Sequence, residues 1–306
     1  MQKTLVIFLV VALGMLGYAV AQQETPASLV DERFQKVNEW LKEESLTVTK
    51  SPEDAFVNDY VLVVAEGLPS ATAKSPAQKR LTAKRAAMTL AYRQLAEFID
   101  GVAVVGDTLV KDAELQYDVV RTAVAGFVKG AQPVFEEYNE KEESAIVIMK
   151  IGMTGPTGFG KTMYEKLVGD PDVQKGVLED NPSFKPSAPA ALEDRYDGLV
   201  IDATEQTFRP ALINRLFTPK GEVLYDPSKI SQKVLVEQGC GEYTNTVDKA
   251  KAALGSRGVK NPLIVKASGT VSPADLQVSD EDAVRIFSAN QKAGFLAEAK
   301  VAFVLK

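Results

Sequence analysis

The chain has no histidine, one cysteine and one tryptophan among its 306 residues. Without histidine, Ser-His-Asp and Cys-His nucleophilic sites, histidine-ligated metals and a histidine general base are all excluded. The lone cysteine, Cys240, cannot close an internal disulfide, so stability must come from packing. Its setting, Gly239-Cys240-Gly241, reads as a small half-buried apolar residue at a turn, with no basic neighbour to generate a thiolate. An excess of positive charge is also missing: 35 basic side chains stand against 41 acidic ones, a net charge of −6. That balance argues against nucleic acid and anionic lipid as partners. No repeat of fixed period is present. The expectation is therefore no catalytic residues, no metal and no cofactor.

What the chain does have begins with an address. Lys3 is followed by an almost wholly apolar run from Leu5 to Leu16, and Ala19-Val20-Ala21 is a small-x-small cleavage site before Gln22. Residues 1–21 thus read as a signal peptide and the mature protein as periplasmic. An uncleaved leader would tether it to the membrane, the only route to a membrane contact. No cysteine follows the apolar run, so the chain is not expected to be a lipoprotein.

Hydrophobic periodicity divides the rest. Residues 22–56 form an N-terminal helical segment, with Val30, Phe34, Val37 and Leu41 at helical spacing and Trp40 on the flank. Asn58 to Ala65 is a strand. A long helix from Ala77 to Ile99 carries Leu81, Met88, Tyr92, Leu95 and Ile99 as its apolar stripe, with alanines keeping that surface low, and Gly101 ends it. Val102 to Val110 reads as a strand. A second helix follows, carrying Leu115, Val119, Val120, Ala123, Val124, Phe127 and Val128 and stopped by Gly130. Two more strands, Pro133 to Tyr138 and Ala145 to Met153, flank a charged turn. The predicted fold class is α+β in two α+β domains. The first, residues 57–169, is a β-α-β-α-β-β sheet with two helices on one face. Residues 170–194 hold Pro171, Pro182, Pro186 and Pro189 and read as a proline-rich linker. The second domain, 195–306, has strands at 199–203, 211–217, 222–225, 263–271 and 295–305. Its helices are at 246–254 and from Ser279, whose Ser-Asp-Glu-Asp start resembles a capping box.

One string looks like chemistry. Gly155-Pro156-Thr157-Gly158-Phe159-Gly160-Lys161-Thr162 matches G-x-x-x-x-G-K-[ST] after a predicted strand. In a working phosphate loop, amides around Gly155 and Gly160 would wrap the phosphates, Lys161 would reach the outer ones and Thr162 would ligate magnesium. The context is poor. Met163 to Val168 leaves under two turns of helix before Gly169-Asp170-Pro171. Asp202, the only candidate metal-binding aspartate at a strand end, lies beyond the linker, and the alternating pattern of a nucleotide-binding sheet is missing. An exported protein would also meet little nucleoside triphosphate. The string is read as a glycine-rich turn. Asp170 and Asp172 do not continue into a calcium loop. Lys79, Arg80, Lys84 and Arg85 form a basic start to the long helix, and Glu136, Glu137, Glu140, Glu142 and Glu143 an acidic hairpin; each reads as a solvated face.

Arg85-Ala86-Ala87-Met88-Thr89-Leu90-Ala91-Tyr92-Arg93-Gln94-Leu95-Ala96-Glu97, then Ile99-Asp100-Gly101-Val102, Gly106-Asp107-Thr108 and Gly126-Phe127-Val128-Lys129-Gly130-Ala131, resemble the core of the LPP-twenty lipoprotein family. The N-terminal domain of flagellar assembly protein T is similar. The resemblance implies an envelope-associated, non-enzymatic protein, some relatives of which build or stabilise a ring around the flagellar motor. It supplies no catalytic residues. The absent lipidation cysteine is a departure. The expected role is a periplasmic structural or assembly protein with envelope or flagellar partners, or copies of itself. The alternatives are a nucleotide-binding protein using Gly155 to Thr162, and a small-ligand module with a pocket between its domains.

Overall fold

A computed structural model describes residues 35–177 and 181–306. The leader at 1–21, and Val30 and Phe34 of the N-terminal segment, lie outside the described residues. The fold is α+β, in two domains.

The first half runs α1 Gln35–Glu43, α2 Pro52–Asn58, β1 Tyr60–Gly67, α3 Pro76–Asp100, β2 Ala103–Val105, β3 Thr108–Leu109, α4 Val110–Gln116, α5 Asp118–Gly130, β4 Pro133–Asn139, β5 Ser144–Gly152, α6 Phe159–Gly169 and α7 Pro171–Val177. Strands β1, β5 and β4 form an antiparallel sheet in that order. β1 is apolar on both faces because both are covered. Val61, Val63 and Ala65 face the core beneath α3, whereas Leu62 and Val64 meet Val37 and Leu41 of α1. The N-terminal helix thus packs on the sheet through its Val37–Leu41 stripe, with Trp40 against Phe135 at 5.4 Å.

Helix α3 starts with a full capping box: Ser75 Oγ accepts from the Gln78 amide, and Gln78 Oε1 accepts from the Ser75 amide. Its buried face is Ala83, Ala87, Ala91, Leu95 and Ile99, a strict four-residue repeat. Leu81, expected on that stripe, is 73% exposed. The alanines face the sheet because β1 comes too close for anything larger. A β-carbon at Gly67 would lie 2.2 Å from the Ala87 nitrogen and 2.3 Å from the Ala83 carbonyl oxygen.

The expected strand at 102–110 is instead the short β2–β3 hairpin, outside the main sheet. The expected second helix is two, α4 and α5, broken at Tyr117, and they bury Val110, Ala113, Val120, Val124 and Val128. Leu115 is 87% exposed. Leu81 lies off the i, i+4 row that the close sheet sets on α3, and Leu115 lies off the face that α4 buries through Val110 and Ala113.

The second half runs β6 Gly198–Asp202, β7 Arg215–Phe217, β8 Val223–Tyr225, α8 Gln232–Gln238, β9 Glu242–Thr244, α9 Val247–Ser256, β10 Pro262–Lys266, β11 Gly269–Ser272, β12 Asp275–Gln277, α10 Asp280–Ala293 and β13 Val301–Val304. Its central sheet, β10-β6-β13-β9, is entirely parallel. Val200, Ala302 and Val304 pack against Ala250 and Leu254 of α9, and Leu199, Ile201 and Phe303 face the core on the other side. That double burial is why β6 and β13 read as unbroken apolar runs. The sequence pattern showed no alternating strand-helix order here; the sheet corrects that reading. A second sheet, β11-β12-β7-β8, abuts it.

Residues 181–194 of the expected linker are tied down along the second half. Ser183 bridges to Val223, the Val223 amide donates to Pro182 O, Phe184 packs edge-on to Phe287, and the Ala190 amide donates to Ser288 Oγ. Proline there sets an extended path that lies on the domain surface and does not act as a spacer.

Candidate functional site

The glycine string forms a closed turn. The Gly158 amide donates to Gly155 O and the Gly160 amide to Met153 O, so two amides a phosphate would need are already satisfied. A β-carbon at Gly158 would sit 2.1 Å from Thr154 O, so that glycine serves the chain's own close approach. Lys161 leans toward Glu165 at 3.8 Å, one helical turn on. The expected short helix is longer than the sequence suggested, since α6 begins at Phe159 and reaches Gly169. Phe159, Met163 and Leu167 are buried, and they set its length. Asp202 is engaged elsewhere: its Oδ1 accepts from the Thr204 amide and hydroxyl, at 3.1 and 2.6 Å. Gly155, Gly160, Lys161 and Thr162 are neighbours, but no observed contact brings Asp202 to them. Magnesium-ATP titrated calorimetrically into the mature protein is expected to give no saturable heat at millimolar ligand. Heat lost on Lys161→Ala would restore the nucleotide reading.

The turn is anchored within the first half, and the helix that follows it reaches the second through Tyr164. Asp59, at the end of α2 with φ +60°, accepts from the Thr154 amide and hydroxyl at 2.9 and 2.8 Å. Burial raises its carboxyl above the ordinary aspartate range, partly offset by those hydrogen bonds. Tyr164 of α6 donates to Leu212 O at 2.5 Å, and Tyr225 to Cys240 O at 2.6 Å. Tyr243 donates to Ala211 O and Asn214 Oδ1. Burial pushes all three phenols well above their usual range, so they stay neutral donors. Cys240 is buried among them and its thiol is likewise pushed up, an inert packing residue. Gly241, at φ +152° and 2.8 Å from Val301 O at its β-position, explains one of its flanking glycines.

The second seam is backbone. β2 lies beside residues 211–213: the Leu212 amide donates to Ala103 O and the Ile213 amide to Val104 O. Beneath it, Arg215 grips Asp275 through Nε at 2.9 Å and Nη2 at 2.7 Å, and Asp275 also accepts from Ser272 Oγ. Arg209 reaches Gly106 O from the same side. One continuous core runs through both halves, from Val61 to Phe303. The cavity left between them, beside Asp59, Thr154, Tyr164 and Glu242, is about 60 Å³, room for a few waters and far below the several hundred Å³ of a ligand pocket.

Residues 198–306 match the family model described as Treponema pallidum Tp0624, second domain. The similarity opens on the first residue of β6 and takes in both sheets of the second half. No curated protein matches the chain. The Tp0624-like region includes Arg215, Asp275, Tyr243 and Cys240, the residues that receive the first half.

Outside it, a groove of about 690 Å³ opens between α3 and the α4–α5 pair, floored by Tyr92, Ala96, Val124 and Val128. Asp100 and Glu114 stand at one end, and Lys129 stands near Tyr92, whose hydroxyl donates to Ala131 O at the other. The sequence reading missed this groove; its signal was an acid closing α3 and another one turn into α4, both beside apolar positions. The basic start of α3 and the acidic hairpin, by contrast, answer each other: Lys79 pairs with Glu143 at 2.6 Å and Lys84 with Glu136 at 2.8 Å. Among the described residues no three or more cysteine, aspartate or glutamate side chains are grouped so as to hold a metal ion, and no helix is long and apolar enough to cross a membrane.

Proposed function

We propose that this chain is an exported periplasmic structural or assembly protein of a bacterial envelope, acting by protein–protein contact, with the flagellar motor as the assembly to examine first. The observation that carries the reading is the junction. Two domains share a continuous core, the Tyr164 hydroxyl and strand-like backbone bonds stitch them, and the cavity beside Asp59 and Tyr164 at the seam is only about 60 Å³. Such a body suits holding partners in fixed register better than opening and closing on a substrate. The leader at 1–21 and the LPP-twenty-like block at 85–131 point to the envelope, and the closed turn at 155–160 weighs against a nucleotide reaction.

The test is location and phenotype. The protein is expected in the osmotic-shock fraction with its N-terminus at Gln22, and its deletion is expected to impair motility or envelope integrity. Cytoplasmic protein with an intact leader, together with wild-type motility and envelope, would overturn the reading.

A further inference from the structure

The groove between α3 and α4–α5 carries opposite charges at its two ends. Asp100 and Glu114 share one end, and among the described residues neither has an ion-pair partner within 4 Å. Burial and like charge raise both carboxyls above their ordinary range, Glu97 acting on Asp100 and Asp100 on Glu114; Lys111 offsets this in part at Asp100, and Arg121, which also lines the groove, at Glu114. Arg121 is already held by Asp118 at 2.5 Å. Lys129 stands at the far end without an ion-pair partner among the described residues. Between the ends the floor is apolar. Leu115, next in the chain to Glu114, leaves a large apolar side chain in water at the acidic rim.

A basic partner would satisfy the carboxylates and meet Lys129 unfavourably, and an acidic one would do the reverse. Only an occupant with the same two signs in reversed order answers both ends. A second copy related by a two-fold axis has that arrangement, because an isologous contact places each end of one groove on the opposite end of the other. We propose that this groove is a self-association surface, in which two copies pack face to face with Lys129 of each against Asp100 and Glu114 of the other and Leu115 covered at the rim. The proposal rests on the protein-interaction reading above and names one partner for it.

Sedimentation velocity of the mature protein over a range up to about 100 µM tests it. The wild type is expected to be dimeric. Lys129→Glu, and separately Asp100→Lys with Glu114→Lys, are each expected to weaken the dimer at least about tenfold. An equimolar mixture of the two reversed proteins is expected to restore a dimer, since every contact in the mixed pair is again complementary. That recovery also shows that both variants are folded. A wild type monomeric throughout, a dimer indifferent to the reversals, or a mixture that stays monomeric overturns the proposal. A monomer that still fractionates to the periplasm with a deletion phenotype removes self-association alone. A dimer without those properties removes the envelope reading alone.

Discussion

Gly67→Ala is expected to destabilise the protein by about 3 kcal/mol or more, read as a lowered urea midpoint with little change in slope. The reason is geometric. The new methyl would fall 2.2 Å from the Ala87 nitrogen and 2.3 Å from Ala83 O, and both are backbone atoms of a 25-residue helix. A flexible side chain could swing away, but a helix backbone moves only with its whole buried face. That face is Ala83, Ala87, Ala91, Leu95 and Ile99, which lies on β1 and β5. Either the helix lifts, opening voids along the row, or β1 bends away from β5. A loss under about 0.5 kcal/mol would mean that β1 does not end against α3.

Asp275→Ala is expected to cost about 3–5 kcal/mol, because it strands the Arg215 guanidinium in the interior. Asp275 is fully buried and takes both arms of Arg215. The pair lies under Gly106 in the β2–β3 turn, so its loss should loosen the seam between the halves as well as β7 and β12. Replacing both partners, Arg215→Met with Asp275→Leu, is expected to recover most of the loss, since two apolar side chains leave no buried charge unmatched. Denaturant titration of the single and double variants checks this. A double variant as unstable as the single would show that the pair supplies something packing cannot.

That ion pair also shows what the sequence could and could not disclose. Arg215 stands inside Leu212-Ile213-Asn214-Arg215-Leu216-Phe217, and Asp275 between Ala274 and Leu276. A charge inside each of two apolar runs is the mark of a buried pair, but sixty residues of separation hide which two belong together. The α+β class was legible because β1, α3, β5 and β6 are long or strongly patterned and their burial follows local period. The short strands β9 and β12 were not, since three residues carry too little pattern to register, and β2 was read only as part of a longer strand over 102–110. The parallel order of the second sheet depends on crossovers through α9 and α10, which no local window contains. The groove escaped for a related reason: Asp100, Glu114 and Lys129 sit on three helices, and only the packing of α3 against α5 brings them to one surface. Conversely, Gly155 to Thr162 was conspicuous in sequence and is plain in structure. Its glycines serve the close return of the chain over Thr154.

Whether the protein works by holding other proteins is tested most directly by photo-crosslinking in the native cell. A photoreactive residue at Ala125, exposed on the groove wall, is compared with one at Lys251, exposed on α9. The expected result is discrete adducts from Ala125, to a second copy or to a defined envelope protein, and none from Lys251. Absence of adducts at Ala125, or the same indiscriminate smear from both positions, would contradict it.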